Sequence, residues 1–150
     1  MKKLIIFLII ILIPGCGFEP IYSTKNNFDY KLNTIERKGD SSIDNLIATE
    51  LQRLSNDQSN KLIDIEINTS YEKKIISKDS KGSVSDYQIN INTKFLIIFE
   101  EKELIFQFSD KQNIKNISDI FEQKNYENII KKNFANSAVR KLNLELVNNL

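Results

Sequence analysis

An apolar residue or a threonine occupies every second position in four stretches of the chain, and this pattern predicts β-strands with one buried face. The stretches are residues 28–33, 63–71, 87–95 and 104–108. A period of two places successive side chains on opposite faces of a sheet. The charged segment between the last two strands predicts a hairpin tip formed by Glu100, Glu101, Lys102 and Glu103.

Two further stretches carry apolar residues three or four positions apart, which predicts amphipathic helices. The first helix is expected to start with Ser41 as its cap, and with Asp44 as a capping-box partner on the solvent side. The second is expected to run from about Tyr126 to Leu146 on one apolar stripe. Residues 111–125 before it are interpreted as a polar segment that contains one helical turn.

The order of the elements (strand, helix, three strands, helix) favours a single α+β domain over residues 28–150. Each of the four strands and two helices has one apolar side. All six sides are buried when the sheet packs its apolar face against both helices. The prediction is a two-layer domain with a four-stranded, mostly antiparallel (mixed) sheet and two helices packed on one face. The first helix would be a crossover between two parallel strands.

Residues 95–99 break the alternation because they are apolar on both faces, and residues 104–108 on the next strand belong to the same double-faced apolar stretch. On a sheet that helices cover on one side only, Leu96 and Ile98 would point away from the core. A large exposed apolar area usually marks an interface. Two interpretations are open: contact with a partner protein, or cover by a loop or by the chain's own tether.

The first seventeen residues contain a targeting signal. Two lysines precede ten apolar residues, 4–13, and Gly15 comes just before Cys16, the only cysteine. These are the parts of a secretory signal peptide, and ten residues are too few to span a bilayer as a helix. The arrangement resembles the bacterial lipobox, which implies a signal peptide over residues 1–15, lipidation of Cys16 and a tether over 16–27. The alternative is an ordinary leader followed by an incidental cysteine.

Charge and residue types exclude several functions. Two of the 21 basic residues lie in the leader, so the mature chain has 19 against 20 acidic residues and a net charge of −1. Nucleic-acid binders are usually clearly basic. The chain has no histidine and one cysteine, which excludes Ser/His/Asp triads, Cys/His pairs and the usual zinc sites. We expect no enzyme, no metal and no cofactor.

Paired carboxylates and a Ser/Lys dyad stay formally open as catalytic groups. Asp64 with Glu66, and Glu100 with Glu101, are such acidic pairs. Alternating acids on the polar face of a strand are usually its solvated side, so the catalytic interpretation is disfavoured.

Four lysines, Lys73, Lys74, Lys78 and Lys81, lie close together in residues 73–83, which are interpreted as a charged connection between two strands. As point charges they could bind the phosphates of a glycolipid headgroup. A solvated loop is the commoner role of such a cluster, and it is the preferred interpretation.

The residues after the lipobox carry a family resemblance. The string Cys-Gly-Phe-Glu-Pro-Ile-Tyr at residues 16–22 resembles the start of the alphaproteobacterial type of the LptE family, the lipopolysaccharide-assembly lipoproteins. The order of strands and helices also agrees with that family's layout. The resemblance implies an outer-membrane lipoprotein on the periplasmic side that plugs and supports the β-barrel translocating lipopolysaccharide.

The partners implied by the resemblance are the LptD-type barrel of the lipopolysaccharide translocon, lipopolysaccharide, and the outer membrane through the lipid anchor. Gly17, where an aspartate would resemble an inner-membrane signal, favours the outer membrane. The expected barrel contacts are Leu96, Ile98, Glu100, Glu101, Lys102 and Glu103, and the expected lipopolysaccharide contacts are the four lysines. The alternative function is an auxiliary periplasmic lipoprotein of a lipid-transport ATPase complex.

Overall fold

Four strands and two helices make up residues 29–149, the part of the chain that this computed structural model describes. In chain order they are β1 (Lys31–Arg37), α1 (Ser41–Leu54), β2 (Leu62–Lys78), β3 (Val84–Phe99), β4 (Lys102–Lys115) and α2 (Ile120–Asn149). The predicted leader, Cys16, the tether and Phe28 lie outside the described residues.

The four strands form one sheet in the order β1-β2-β3-β4. β1 is parallel to β2 and joined to it through α1, whereas β2, β3 and β4 are antiparallel neighbours. Both helices contribute to the single hydrophobic core on one face of the sheet. The prediction of an α+β fold with a mixed four-stranded sheet and two helices is confirmed.

The central strands β2 and β3 follow the predicted alternation. Ile67 faces Phe95 across the pair, and both side chains are fully buried. Thr69 faces Thr93 one step further, and their hydroxyl groups are 2.7 Å apart in a buried hydrogen bond. Each threonine thus satisfies the other's polar group within an otherwise apolar face.

The start of α1 differs from the prediction by one residue. Asp40, not Ser41, is the N-cap, and its side chain accepts a hydrogen bond from the Ile43 amide at 3.0 Å. Asp44 is buried rather than solvent-facing, because its Oδ2 accepts from the Gly39 amide at 2.8 Å. Asp40 and Asp44 together satisfy two backbone donors at the helix entry, as the partners of a capping box do.

All four strands extend beyond the stretches that the alternation predicts, and β2 and β4 do so most. β2 continues to Lys78, so the interpretation of residues 73–83 as a connection is wrong, and only residues 79–83 form the turn. β4 continues to Lys115 instead of ending near residue 108. The apolar pattern stops earlier than the strands because their far ends carry polar residues on the inner face, including Lys73 on β2.

Helix α2 begins six residues before the predicted start at Tyr126. Its first turn carries Ile120 and Phe121, which are 79 % and 80 % exposed, so no buried stripe marks this start. Asp119 caps it, since its Oδ1 accepts hydrogen bonds from two first-turn amides at 2.7 and 3.1 Å. Tyr126 and Ile129, expected in the core, are exposed as well.

A two-residue turn joins β3 to β4. Phe99 faces Lys102, so the turn consists of Glu100 and Glu101, and Glu103 belongs to β4. Glu100 has a φ of 54°, a left-handed conformation that costs a non-glycine residue about 1 kcal/mol. Within residues 29–149, no helix combines the length and the apolar character needed to cross a membrane.

Candidate functional site

The face of the sheet opposite the helices carries apolar residues near the Glu100–Glu101 turn. Leu96 and Ile98 lie on this open face, because Ile97 between them points into the core. Leu96 is half-buried, and Ile98 is 38 % exposed. Both residues lie in the last four positions of β3, at the same end of the sheet as the turn.

Two more apolar residues belong to this area. Ile105 on β4 faces Leu96, and Leu62 on β2 precedes the buried Ile63 and so points to the open face. We call the set Leu62, Leu96, Ile98 and Ile105 the open-face patch. Sequence reasoning missed Leu62 and included Ile105 only as part of the apolar stretch 104–108, although their parity relative to the buried positions of the same strands would have identified both.

Acidic residues border the open-face patch. Asp64 and Glu103 face Ile98 from the two neighbouring strands, and Glu66 faces Leu96. Side chains of β1 and of the residue that follows it donate hydrogen bonds to Asp64 and Glu66, at 2.9 and 2.6 Å. These carboxylates form an acidic rim around the open-face patch. Within residues 29–149, no group of three acidic side chains could hold a metal ion.

The four lysines expected to contact lipopolysaccharide do not share one loop. Lys73 lies on the inner face of β2 and Lys74 on the outer face, since successive strand residues point to opposite sides. Lys78 ends β2, and Lys81 lies in the turn at residues 79–83; both are exposed. Three of the four lysines therefore reach solvent at this end of the sheet.

Lys73 makes internal contacts instead. Its Nζ is 2.6 Å from Oε1 of Glu127 on α2 and 3.8 Å from the centre of the Tyr87 ring. Glu127 also accepts hydrogen bonds from the Tyr71 hydroxyl at 3.3 Å and from the Gln123 side chain at 2.8 Å. This polar network attaches the first half of α2 to the sheet. The contact of Lys73 is partly buried, whereas Lys74 forms an exposed ion pair with Glu72 on its own strand, at 3.0 Å.

The polar network shifts two pKa values. Burial acts to raise the pKa of Glu127, but hydrogen bonds from Lys73 and Gln123 and the charge of Lys73 outweigh it, so the pKa lies below its usual value. Burial, with the nearby charge of Glu127, raises the pKa of Tyr71 to about 12. At neutral pH Glu127 is therefore charged and Tyr71 is neutral.

Exposed apolar side chains accompany the three solvent-facing lysines. Ile75 and Ile76 lie between Lys74 and Lys78 on β2 and are exposed. The first turn of α2 reaches the same end, because the backbone just before it hydrogen-bonds to the start of β3 at 2.8 Å. We call this set the basic end: Lys74, Ile75, Ile76, Lys78, Lys81, Ile120 and Phe121. Sequence reasoning missed Ile75 and Ile76 because it treated residues 73–83 as a loop, and Ile120 and Phe121 because it placed the start of the helix at about Tyr126.

Neither a protein-family model nor a curated protein matches this sequence, but solved structures do. Rare lipoprotein B from Shewanella oneidensis aligns with 77 % of this chain and 98 % of its own, at 13 % identity and a TM-score of 0.54. A minor lipoprotein from Acinetobacter baumannii aligns with 77 % and 94 %, at 10 % identity and a TM-score of 0.56. Lipoprotein B from Nitrosomonas europaea aligns with 81 % and 84 %, at 16 % identity and 0.53.

These similarities extend over most of each chain at low identity, and what they establish is a shared fold. The strands β1 to β4 and the helices α1 and α2 thus form the fold seen in bacterial lipoproteins such as rare lipoprotein B.

Proposed function

We propose that this chain is an outer-membrane lipoprotein of the LptE family, of the alphaproteobacterial type, that plugs and supports assembly of the barrel translocating lipopolysaccharide. The observation that carries the proposal is the open-face patch, which lies on the face of the sheet that residues 29–149 leave uncovered, in a domain with the rare-lipoprotein-B fold. The protein acts by binding and not by catalysis, and it faces the periplasm.

The open-face patch suits a protein partner. Its apolar residues lose contact with water only when another surface covers them, and that burial favours association. The acidic rim and the charged turn would border the contact and set its orientation. The proposed barrel contacts are Leu96, Ile98, Glu100, Glu101, Lys102 and Glu103, to which we add Leu62 and Ile105.

The lipid anchor would bring this patch to the barrel. Cys16 is the proposed lipidation site, and Lys31 at the start of β1 lies fifteen positions further along the chain. A chain of that length spans at most about 50 Å when extended. The domain would therefore remain near the inner surface of the outer membrane, beside the mouth of a barrel.

The basic end is the proposed contact for lipopolysaccharide during its transport. Lipopolysaccharide combines phosphate groups with acyl chains, and the basic end combines Lys74, Lys78 and Lys81 with exposed Ile75 and Ile76. We leave Lys73 out of this contact, because its ion pair with Glu127 is partly buried, whereas the pair that Lys74 forms with Glu72 is exposed.

Photo-crosslinkers at Leu96 and Ile98, followed by purification in mild detergent, test the barrel contact. A large outer-membrane barrel should be trapped at both positions, whereas a crosslinker at Gln52 on α1 should trap it less. Recovery of an inner-membrane ATPase would instead support the auxiliary transport lipoprotein. Strong reaction at Gln52 with none at the two strand positions would contradict the proposed orientation.

Replacement of Lys74, Lys78 and Lys81 by Gln tests the lipid contact. Binding to purified lipopolysaccharide should weaken and should lose most of its salt dependence, because exposed charges are screened beyond about 8–10 Å at physiological ionic strength. The matched control replaces three exposed lysines elsewhere, Lys61, Lys132 and Lys141, by Gln. Equal binding by both triple variants at low salt would eliminate the basic end as the site.

A further inference from the structure

The solvent-facing side of α2 carries a stripe of exposed apolar residues. At about 100° per residue, Tyr126, Ile129, Leu144 and Val147 fall within a sector of about 60°. All four are exposed, with Ile129 at 55 % and Leu144 at 65 %. The core-facing residues of the helix, such as Leu142, lie on the other side and are fully buried. These four side chains therefore do not stabilise the domain itself.

The stripe is symmetric about its midpoint, which lies between Asn136 and Ser137. Tyr126 and Val147 are equally distant from this midpoint, and so are Ile129 and Leu144. The remaining stripe residues are polar and pair about the same midpoint, Asn133 with Arg140 and Asn136 with Ser137. A helix surface with this arrangement is complementary to a second, antiparallel copy of itself.

We propose that this stripe, from Tyr126 to Val147, is a self-association surface on which two copies of the chain pair antiparallel about a two-fold axis. Such an axis places each residue opposite its counterpart on the other copy. Tyr126 and Ile129 then meet Val147 and Leu144 of the other copy, and this apolar contact occurs twice. Ser137 and Asn136 meet at the axis, where a small and a polar side chain allow the helices to approach closely.

The polar centre of the stripe fixes the register of the pair. A shifted antiparallel alignment would place apolar ends against Asn133, Asn136 or Arg140, and a parallel in-register pair would place Arg140 against Arg140. Polar residues within a helix interface are a known means of specifying alignment. In the symmetric alignment, Arg140 faces Asn133, so like charges do not meet at any matched position of the stripe. The same polar centre disfavours a membrane surface as the occupant, because a membrane-bound helix needs a continuous apolar side.

The expected dimer is weak in solution. Four apolar side chains from each copy bury less than the roughly 1,200 Å² at which stable specific interfaces begin. Attachment of both copies to one membrane would raise their effective concentration. The stripe lies on the helical layer, on the other side of the molecule from the open-face patch. Pairing therefore leaves that patch accessible, and only the gain from membrane attachment rests on the proposed lipid anchor at Cys16.

A charge exchange tests the pairing in the full chain, purified in detergent and followed by sedimentation at increasing protein concentration. Ile129→Lys or Leu144→Glu alone should weaken dimer formation about tenfold or more, since each places a charge in both apolar contacts. The two substitutions in one chain should restore it, because the introduced charges face each other at both ends. Circular dichroism should be unchanged in all three variants, as both positions are exposed.

A cysteine at the axis provides a second measurement. Ser137→Cys should form an intermolecular disulfide on mild oxidation in membranes, whereas Lys124→Cys, exposed on the same helix but off the stripe, should form less. The unsubstituted chain gives the background, including any from Cys16 that has not been lipidated. A native chain that stays monomeric in sedimentation at about 1 mM, or a double variant as weak as the single ones, would overturn the proposal.

Discussion

The two halves of α2 are attached to the sheet by different forces. From Phe134 to Leu146 the attachment is apolar, and Ala138 and Leu142 are buried to 1 % exposure or less. From Ile120 to about Ile130 it is largely polar, with Glu127 bound by Lys73, Tyr71 and Gln123. Apolar burial needs no particular geometry and does not change with pH, whereas a charged network requires its partners in place and ionised.

This difference explains where the exposed apolar side chains of α2 can lie. The first half does not need its own Ile120 and Phe121 for attachment, so they remain available at the basic end. Elements held by few buried apolar contacts are also those that open locally at low free-energy cost. We therefore expect the first half of α2 to exchange its amide hydrogens faster than the second half.

The largest effect is expected from truncation in the apolar half. Leu142→Ala removes a fully buried side chain and should lower the free energy of unfolding by about 2–5 kcal/mol. Ile129→Ala is the matched control in the other half, and it should change that free energy by less than about 0.5 kcal/mol, because its side chain is exposed. Urea denaturation of the three proteins measures both values. Similar losses in both variants would contradict the division of the helix.

A smaller effect is expected from the polar network. Glu127→Gln removes the charge opposite Lys73 and should cost about 1–3 kcal/mol, the range for hydrogen bonds to charged groups. Lys73→Met keeps the stem of the side chain against Tyr87 and removes the same ion pair. If the contact is specific, the double variant should lose clearly less than the sum of the two single losses. Additive losses would mean that the two residues act independently.

The pH dependence of stability should identify Glu127 as the titrating group. Its pKa is lowered in the folded chain, so its contribution is fully present above the unfolded value of about 4.3 and is lost as pH falls through the folded value. The native chain and Glu127→Gln should therefore approach equal stability as pH falls from about 5 towards 3. A constant difference between their denaturation midpoints over this range would exclude Glu127 as the source.

The same division of forces explains which parts of the fold could be predicted from the sequence. Strands β2 and β3 were recognisable where Ile65, Ile67 and Ile91 alternate with polar residues, because burial determines residue type there. The end of β2 was not recognisable, because the inward-facing residue there is Lys73, which pairs with Glu127, 54 positions away in the chain. Hydrophobic periodicity contains no information on such a long-range polar contact.

The candidate sites were predictable to a similar degree. Strand parity alone places Leu96 and Ile98 on the open face, and it would have added Ile105. The basic end could not be assembled from the sequence, because it needs both the true length of β2 and the true start of α2. Phe121 in particular lies in a first turn whose start is marked by the cap at Asp119 and not by an apolar stripe.

The smallest effect on stability is expected at that first turn. Phe121→Ser should change the free energy of unfolding by less than about 0.5 kcal/mol, because the ring is 80 % exposed and serine is well tolerated near a helix N-terminus. The same substitution should nevertheless weaken lipopolysaccharide binding if the basic end uses its apolar members. Measurement of both quantities on one variant separates the two roles of α2. A loss of stability above about 1 kcal/mol would mean that the ring packs within the domain, and that the polar network does not hold this half of the helix alone.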